Sequence, residues 1–370
     1  MDPLTKLYIE ITTHCNLDCQ MCVRRAWNQP IGHMLANTYR GLIDGLRDFP
    51  TPPTVHLGGY GEPMSHPEFL DVVEMAKTVG ARVEVTTNGC MLSEAMASAL
   101  IELDLDRLVV SIDSATPDQY EDIRVKASFQ DVIDNMRRLY RLKLHRANRH
   151  SNPQVGIAFV AMRSNVAEIP KLPQLATQIG AWDVQVSNVI PHTREMEAEI
   201  LYDDALTACA YRASPWVVNV SLPKMDMNPD THTPFYDLFN SRASLSLVGN
   251  SLSARNDYCR FAQEGFAVVR WDGAVSPCLS LLHDHPEYIR HRRKNVTAYT
   301  VGNVNEQPLH AIWASDEFAG FRSRLRAFEF SPCTTCGGCE RFPRNDEDCQ
   351  ENYFPVCGGC LWAQGIIECP

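Results

Sequence analysis

The sequence predicts an α/β protein in which a parallel sheet is followed by a Cys-rich C-terminal module. Six short β-branched runs alternate with amphipathic segments over residues 1–190, a pattern typical of βα units. Most of the 14 cysteines fall in two groups at opposite ends of the chain. With 45% hydrophobic and 21% charged residues, the composition is that of a globular chain of roughly two to three domains.

The predicted strands occupy residues 7–11, 54–57, 83–86, 108–112, 155–162 and 184–189. Tyr39, Leu42 and Leu46 recur at helical spacing after the first strand. The sequence predicts that the next three helices begin after a capping box at Ser65, near Ser93 and after a cap at Thr116. A last helix is predicted over residues 166–179, between strands five and six.

Six βα units predict parallel strands with right-handed crossovers. Six are too few to close an eight-stranded barrel, so we expect a partial, open (β/α)6 barrel of TIM-like architecture, with its chemistry at the carboxyl ends of the strands. The predicted organisation is a barrel at 1–190, a poorly periodic bridge at 191–257 and a Cys-rich domain at 258–370. We expect metal ligation to supply much of the last domain's folding energy.

Three cysteines, Cys15, Cys19 and Cys22, lie in one loop directly after the first predicted strand. A [4Fe–4S] cluster needs four ligands, so three thiolates leave one iron open for a ligand that is not cysteine. A structural zinc site is the alternative, with His14 as a candidate fourth ligand. Cys90 and Cys209 stand alone in the sequence, and we expect both to be small buried hydrophobes.

The Cys15-x3-Cys19-x2-Cys22 spacing resembles the defining motif of the radical S-adenosylmethionine (SAM) superfamily. Further similarities follow the later strands in order: Gly58, Gly59, Gly61 and Glu62 after strand two, Thr86 and Asn88 after strand three, Ser111 and Asp113 after strand four, then Arg124 and Asn188. One departure is Met21, where the family usually has an aromatic residue before the third cysteine. Methionine sulfur can still pack on adenine.

This resemblance implies that the three thiolates hold a SAM-binding [4Fe–4S] cluster. It also implies that the glycine-rich motif contacts the amino group of SAM, that Arg124 pairs with its carboxylate and that Asn188 holds its adenosine. A low-potential electron from a ferredoxin- or flavodoxin-type donor would then cleave SAM to methionine and a 5′-deoxyadenosyl radical, which takes hydrogen from a substrate. No substrate acid or base is identifiable from the sequence.

The C-terminal cysteines resemble the SPASM extension, which in its family binds two auxiliary [4Fe–4S] clusters. The candidate ligands are Cys259, Cys278, Cys333, Cys336, Cys339, Cys349, Cys357 and Cys360. By chain order we place Cys259, Cys278 and Cys349 on one cluster, and Cys333, Cys336, Cys339 and Cys360 on the other. A zinc ribbon without iron is the alternative.

The tail from Cys357 to Cys369 resembles the maturases of tungsten-containing aldehyde ferredoxin oxidoreductases, which implies that such an oxidoreductase or its cofactor is a partner. Two other hypotheses stay open: a SPASM-type enzyme that modifies peptides or proteins, and a dehydrogenase or epimerase of a sugar or cyclitol. A non-enzymatic electron carrier is the contrasting class.

The charge pattern excludes some classes of partner. The net charge of −11 argues against general binding to nucleic acid or anionic membranes. No apolar run is long enough to cross a membrane, and we expect an oxygen-poor cytoplasm. Residues 288–294 are rich in Arg and Lys and are expected to form an exposed loop, as are His283 and His285.

Overall fold

The computed structural model describes residues 2–145, 152–208, 218–226, 228–239, 244–247, 250–251, 258–331, 333 and 339–368. Its first part is the predicted series of βα units. The strands are β1 (Lys6–Ile9), β2 (Thr54–Leu57), β3 (Val83–Thr87), β4 (Arg107–Ser111), β5 (Gln154–Ala161) and β6 (Asp183–Asn188). The helices are α1 (Ala36–Asp44), α2 (Phe69–Thr78), α3 (Glu94–Glu102), α4 (Pro117–Ile123), α5 (Phe129–His145) and α6 (Leu172–Ile179).

Strands β1 to β6 pair in parallel in chain order, as expected for the partial barrel. Short 3-10 helices lie at Val23–Arg25, Gly45–Asp48, Pro63–Ser65, Val166–Lys171 and Glu195–Glu199. The helix predicted at 166–179 begins in this tighter form, with Pro170 inside its first part. Proline lacks the N–H of a regular α-helical turn, which accounts for the change.

The two faces of the sheet differ in chemistry because side chains alternate along a strand. One face, including Leu7, Val55 and Val83, packs with the helices in the largest apolar cluster. On the other face Glu84 forms an ion pair with Lys6, with 2.9 Å between Oε2 and Nζ. The same oxygen lies 3.3 Å from His56 Nδ1. Burial alone would raise the pKa of Glu84, but the hydrogen bond from His56 and the charge of Lys6 hold it well below its usual range.

The middle of the chain contributes α7 (Asp203–Ala208), β7 (Asn219–Leu222), α8 (Pro229–Phe239), β8 (Ser244–Leu247) and β9 (Asn250–Ser251). Strands β7, β8 and β9 form a small separate sheet. The C-terminal part adds α9 (Arg260–Glu264), β10 (Phe266–Val269), β11 (Ala274–Ser276), β12 (His285–Ile289), β13 (Arg292–Val296), β14 (Gly302–Asn303), α10 (Leu309–Ala314) and α11 (Asp316–Ala327).

The large sheet extends beyond the six expected strands. β10 pairs in parallel with the free edge of β1, with Lys6 opposite Phe266. β11 and β14 then continue the sheet in antiparallel order. The predicted boundary at residue 258 therefore falls just before a segment that shares the sheet of the barrel.

The expectation of a loop at 288–294 is wrong, although Arg290, His291 and Arg293 are exposed as expected. This segment belongs to the antiparallel β12–β13 hairpin, and Lys294 and Glu287 are buried within it. The turn is made by Arg290 and His291, both with left-handed backbone. Local charge density concealed the buried position of Lys294 because one of its partners, the carbonyl of Gly359, is 65 residues away.

Candidate functional site

The three-thiol loop lies against the carboxyl end of α4. Backbone N–H groups of Asp18 and Gln20 donate to the carbonyls of Val125 and Ile123 at 3.1 and 2.9 Å. Burial raises the pKa of Cys19 to about 12, and the neighbouring Cys22 and Cys15 raise it further. Without a metal, these thiols therefore stay protonated at neutral pH. A bound metal deprotonates a coordinating thiol, so the three-thiol loop suits a metal cluster.

The glycine-rich motif after β2 passes close to the backbone before this loop. A Cβ atom on Gly61 would lie 2.2 Å from the carbonyl oxygen of Thr12, and one on Gly59 would lie 2.8 Å from Cγ of Glu10. The Glu62 N–H donates to the carbonyl of His14 at 2.7 Å. Glycine is therefore required for this close approach, which brings the motif beside the thiols.

Glu62 is buried and joins two strand ends. Its Oε1 accepts hydrogen bonds from Met64 N–H and Thr87 Oγ1–H at 3.1 and 2.7 Å, and its Oε2 accepts one from Asn88 N–H at 2.7 Å. Burial raises the pKa of Glu62 against the effect of these donors. Carboxylate oxygens have two lone pairs each, so one lone pair on Oε2 has no donor among these three.

The loop after β3 reaches the first cysteine. The Asn88 side-chain amide donates to Asn16 Oδ1 at 2.8 Å and lies 3.7 Å from Cys15 Sγ. Thr86 Oγ1 lies 3.0 Å from His56 Nε2 within the sheet. Thus Glu62 and Asn88 come together with Cys15, as their order on successive strand ends predicts, whereas Thr86 bonds towards the interior of the sheet.

Asp113 and Arg124 form a buried ion pair, with Nη2 and Oδ2 separated by 2.7 Å. Asp113 Oδ1 also accepts a hydrogen bond from Val160 N–H at 2.8 Å. The charges of Asp113 and Cys19 raise the pKa of Arg124 despite its burial. Arg124 therefore stays cationic beside the thiol loop. Ser111, which is half-exposed, is the last residue of β4.

The last two predicted cofactor contacts involve the C-terminal tail. The Asn188 amide donates to the carbonyl of Ile366 at 2.9 Å, and Glu368 N–H donates to Ser187 Oγ at 3.0 Å. Met21 packs against an apolar cluster that contains Ile366. The tail thus covers the end of β6, where we expected adenosine.

Sequence reasoning missed a buried polar group that joins the two ends of the chain. Glu10 lies at the end of β1; its Oε2 accepts from Tyr60 N–H at 3.1 Å, and its Oε1 lies 2.7 Å from His283 Nε2. The rings of Trp27 and Tyr60 contact His283 edge-on. His283 and His285 are buried, so the expectation of a surface loop is wrong. Glu10, a charged residue inside a predicted strand, was the available signal.

Four C-terminal thiols line one cavity: Cys259, Cys278, Cys357 and Cys360. Burial raises the pKa of Cys278 well above its usual value, and the other three thiols raise it further. Our partition of the cysteines is therefore wrong at Cys349 and Cys360. Chain order misled it because Cys333, Cys339 and Cys349 lie in sequence between Cys278 and Cys357, which line the same cavity.

Cys333, Cys339 and Cys349 form a second group. Burial raises the pKa of Cys333 to about 11, and the other two thiols contribute to the rise. Ser331 Oγ lies 3.0 Å from Cys349 Sγ. Cys336, expected in this group, lies outside the described residues, as does Cys209; Cys90 is half-buried.

Among the described residues, no three His, Cys, Asp or Glu side chains meet as ligands of a single metal ion. No helix in this part of the chain is long and apolar enough to span a membrane.

Comparisons with known proteins agree with this geometry. Family models match at residues 9–155, for the Radical SAM superfamily, and at 259–340, for the SPASM iron–sulfur cluster-binding domain. The chain is 30% identical over 368 residues to the tungsten-containing aldehyde ferredoxin oxidoreductase cofactor-modifying protein of Pyrococcus furiosus, covering 98% of this chain and 96% of that protein. It is 24% identical to the AdoMet-dependent heme synthase of Methanosarcina barkeri, covering 95% and 89%.

A solved structure, anSMEcpe with bound AdoMet, has the same fold, with a TM-score of 0.61 at 17% identity over 98% of this chain and 93% of that one. Radical SAM proteins hold SAM on a [4Fe–4S] cluster, and the thiol loop described above suits that pair. The chain therefore belongs to the radical SAM superfamily, as an enzyme with a C-terminal SPASM domain.

Proposed function

We propose that this enzyme is a maturase that uses radical SAM chemistry to modify the cofactor of a tungsten-containing aldehyde ferredoxin oxidoreductase. The observation that carries the proposal is similarity over the whole chain, since 98% of it aligns with the cofactor-modifying protein of Pyrococcus furiosus. The C-terminal tail from Cys357 to Cys369, which resembles the same group of maturases, also supports the proposal.

A [4Fe–4S] cluster on Cys15, Cys19 and Cys22 supplies, when bound, the open iron for SAM and the electron that splits it into methionine and a radical that takes substrate hydrogen. Glu62 has an oxygen lone pair suited to an ammonium group. Arg124 stays cationic beside Cys19 and suits a carboxylate. The apolar cluster around Met21, Met162 and Val189 keeps water from this side.

We further propose two auxiliary [4Fe–4S] clusters. The first is held by Cys259, Cys278, Cys357 and Cys360, which line one cavity. The second is held by Cys333, Cys339 and Cys349, with Cys336 as the fourth ligand from the sequence. Each site then has four thiolates and no open iron, which favours electron transfer over direct binding of substrate.

The proposal includes a ferredoxin- or flavodoxin-type electron donor and an oxygen-poor cytoplasm. The three thiols of the first loop are only partly buried. Oxygen would therefore reach an open iron held there, and this supports an anaerobic setting.

The test begins with SAM cleavage. Anaerobically reconstituted protein with SAM and dithionite should form 5′-deoxyadenosine, and Cys19→Ala should abolish it, whereas Cys90→Ala should retain it. Absence of 5′-deoxyadenosine from the wild-type protein would exclude the enzyme reaction.

The substrate is then tested by adding the tungsten cofactor, the intact oxidoreductase, a short precursor peptide or a cyclitol. We expect the cofactor or the oxidoreductase to accelerate 5′-deoxyadenosine formation and to change in mass. A mass change confined to the peptide or the cyclitol would replace the maturase proposal with the corresponding alternative.

A further inference from the structure

A buried lysine lies beside the four-thiol cavity. Lys294, on β13, is 6% exposed and lines the same cavity as the four cysteines. Its Nζ donates to the carbonyl of Gly359 at 3.1 Å. Gly359 lies between two of the candidate ligands, Cys357 and Cys360, so the ammonium group contacts the ligand loop itself.

The same lysine is close to the second thiol group. A Cβ atom on Gly359 would lie 3.3 Å from Lys294 Nζ and 3.5 Å from Cys333 Cβ. Gly359 therefore lies between the ammonium group and Cys333, and because it is glycine it places no side chain there.

The acidic partner of Lys294 lies farther from its ammonium group than the ligand loop does. Glu287 Oε2 lies 3.9 Å from Lys294 Nζ, compared with 3.1 Å for the carbonyl oxygen of Gly359. Glu287 is also held by His285, whose Nε2 lies 3.3 Å from Glu287 Oε1.

Glu287 and Lys294 both line the cavity of the four thiols. Replacing Lys294 with an apolar residue therefore removes the cation and leaves the carboxylate beside the cavity. His192 packs on His285 at 5.2 Å between ring centroids, and burial lowers its pKa to about 4, so it adds no charge at neutral pH.

We propose that Lys294 is a positioning residue that sets the reduction potentials of both auxiliary clusters. Reduction adds one negative charge to a cluster, and a buried cation stabilises that charge strongly because the surrounding dielectric constant is low. One lysine between the two sites raises both potentials together. The inference rests on the proposed auxiliary clusters.

The test is an EPR-monitored redox titration of the reconstituted holoenzyme. Lys294→Met should move the midpoint potentials of both auxiliary clusters to more negative values. The SAM-binding cluster, identified by its spectral change when SAM is added, should keep its potential. Lys294→Arg retains the cation and should stay near wild type. Lys171→Met is the matched control, because Lys171 is exposed and pairs with Glu168 on the barrel.

Iron content separates the possible failures. Wild-type protein without auxiliary iron would overturn the proposed clusters. Full iron in Lys294→Met with unchanged potentials would overturn the role of Lys294. If that variant loses iron, Lys294→Gln, which retains a donor for the Gly359 carbonyl, replaces it under the same criterion. Loss of iron from Lys294→Arg as well would also overturn the proposal, because it would indicate a packing role.

Discussion

At the scale of single residues, the Arg124–Asp113 ion pair should contribute to the stability of the fold, because both side chains are buried. Arg124→Met leaves the Asp113 carboxylate without its cation. Removing one partner of a buried pair costs about 3–5 kcal/mol, and we expect urea unfolding to show a loss of that size. The double variant Asp113→Asn/Arg124→Met should recover much of it, since Asn can still accept from Val160. Additive losses in the double variant would contradict this account.

His56 gives the fold a pH dependence of defined sign. Burial lowers its pKa to about 4 in the folded protein, whereas the unfolded chain takes up this proton near pH 6.5. Between these values the unfolded state binds more protons, so the free energy of unfolding falls as the pH falls, by up to about 1.4 kcal/mol per pH unit. The stability difference between wild type and His56→Gln should shrink from pH 7.5 to pH 5. A constant difference would be incompatible with a neutral buried His56.

At the scale of elements, a glycine in the loop after β2 and a glycine inside α1 should respond in opposite ways to alanine. Gly61→Ala places a methyl group 2.2 Å from the Thr12 carbonyl oxygen, whereas Gly41, inside α1, has open space around it. We expect Gly61→Ala to destabilise by about 1–3 kcal/mol and to weaken SAM binding, measured by equilibrium dialysis. Gly41→Ala should stabilise by about 0.5–1 kcal/mol. Normal SAM binding by Gly61→Ala would show that the close approach is dispensable.

The sequence predicted elements well and long-range contacts poorly. The apolar runs of β1 to β6 and the helix starts at Ser93 and Thr116 are local signals, and they identified six strands and their helices. The capping box predicted at Ser65 is wrong, because the N-cap of α2 is Glu68 and Ser65 Oγ donates to the carbonyl of Glu62 instead. Cys357 and Cys360 join Cys259 and Cys278 from about 80 to 100 residues further along the chain, and the Gly359 carbonyl that accepts from Lys294 is 65 residues away, so local spacing carried no information about these contacts. A charged stretch at 288–294 looks solvated until Glu287 and the Gly359 carbonyl are in place.

At the scale of the whole molecule, iron content distinguishes clusters from the zinc alternative. Three [4Fe–4S] clusters give about twelve irons per chain. Cys278→Ser/Cys360→Ser and Cys333→Ser/Cys349→Ser should each lose about four, because each pair lies within one thiol group, and Cys90→Ala should lose none. About four irons in the wild-type protein, together with bound zinc, would assign the C-terminal cysteines to the zinc alternative.

The parallel pairing of β1 with β10 has a consequence for synthesis on the ribosome. Gly265, whose carbonyl accepts from Thr5 N–H, follows Thr5 by 260 residues. At about 5–20 residues per second, the ribosome needs roughly 13–50 s to make that stretch. During this time the nascent β1, which leads directly into Cys15, has one edge without its final partner. The free edge of β1 is thus completed late in translation, when the SPASM segment emerges.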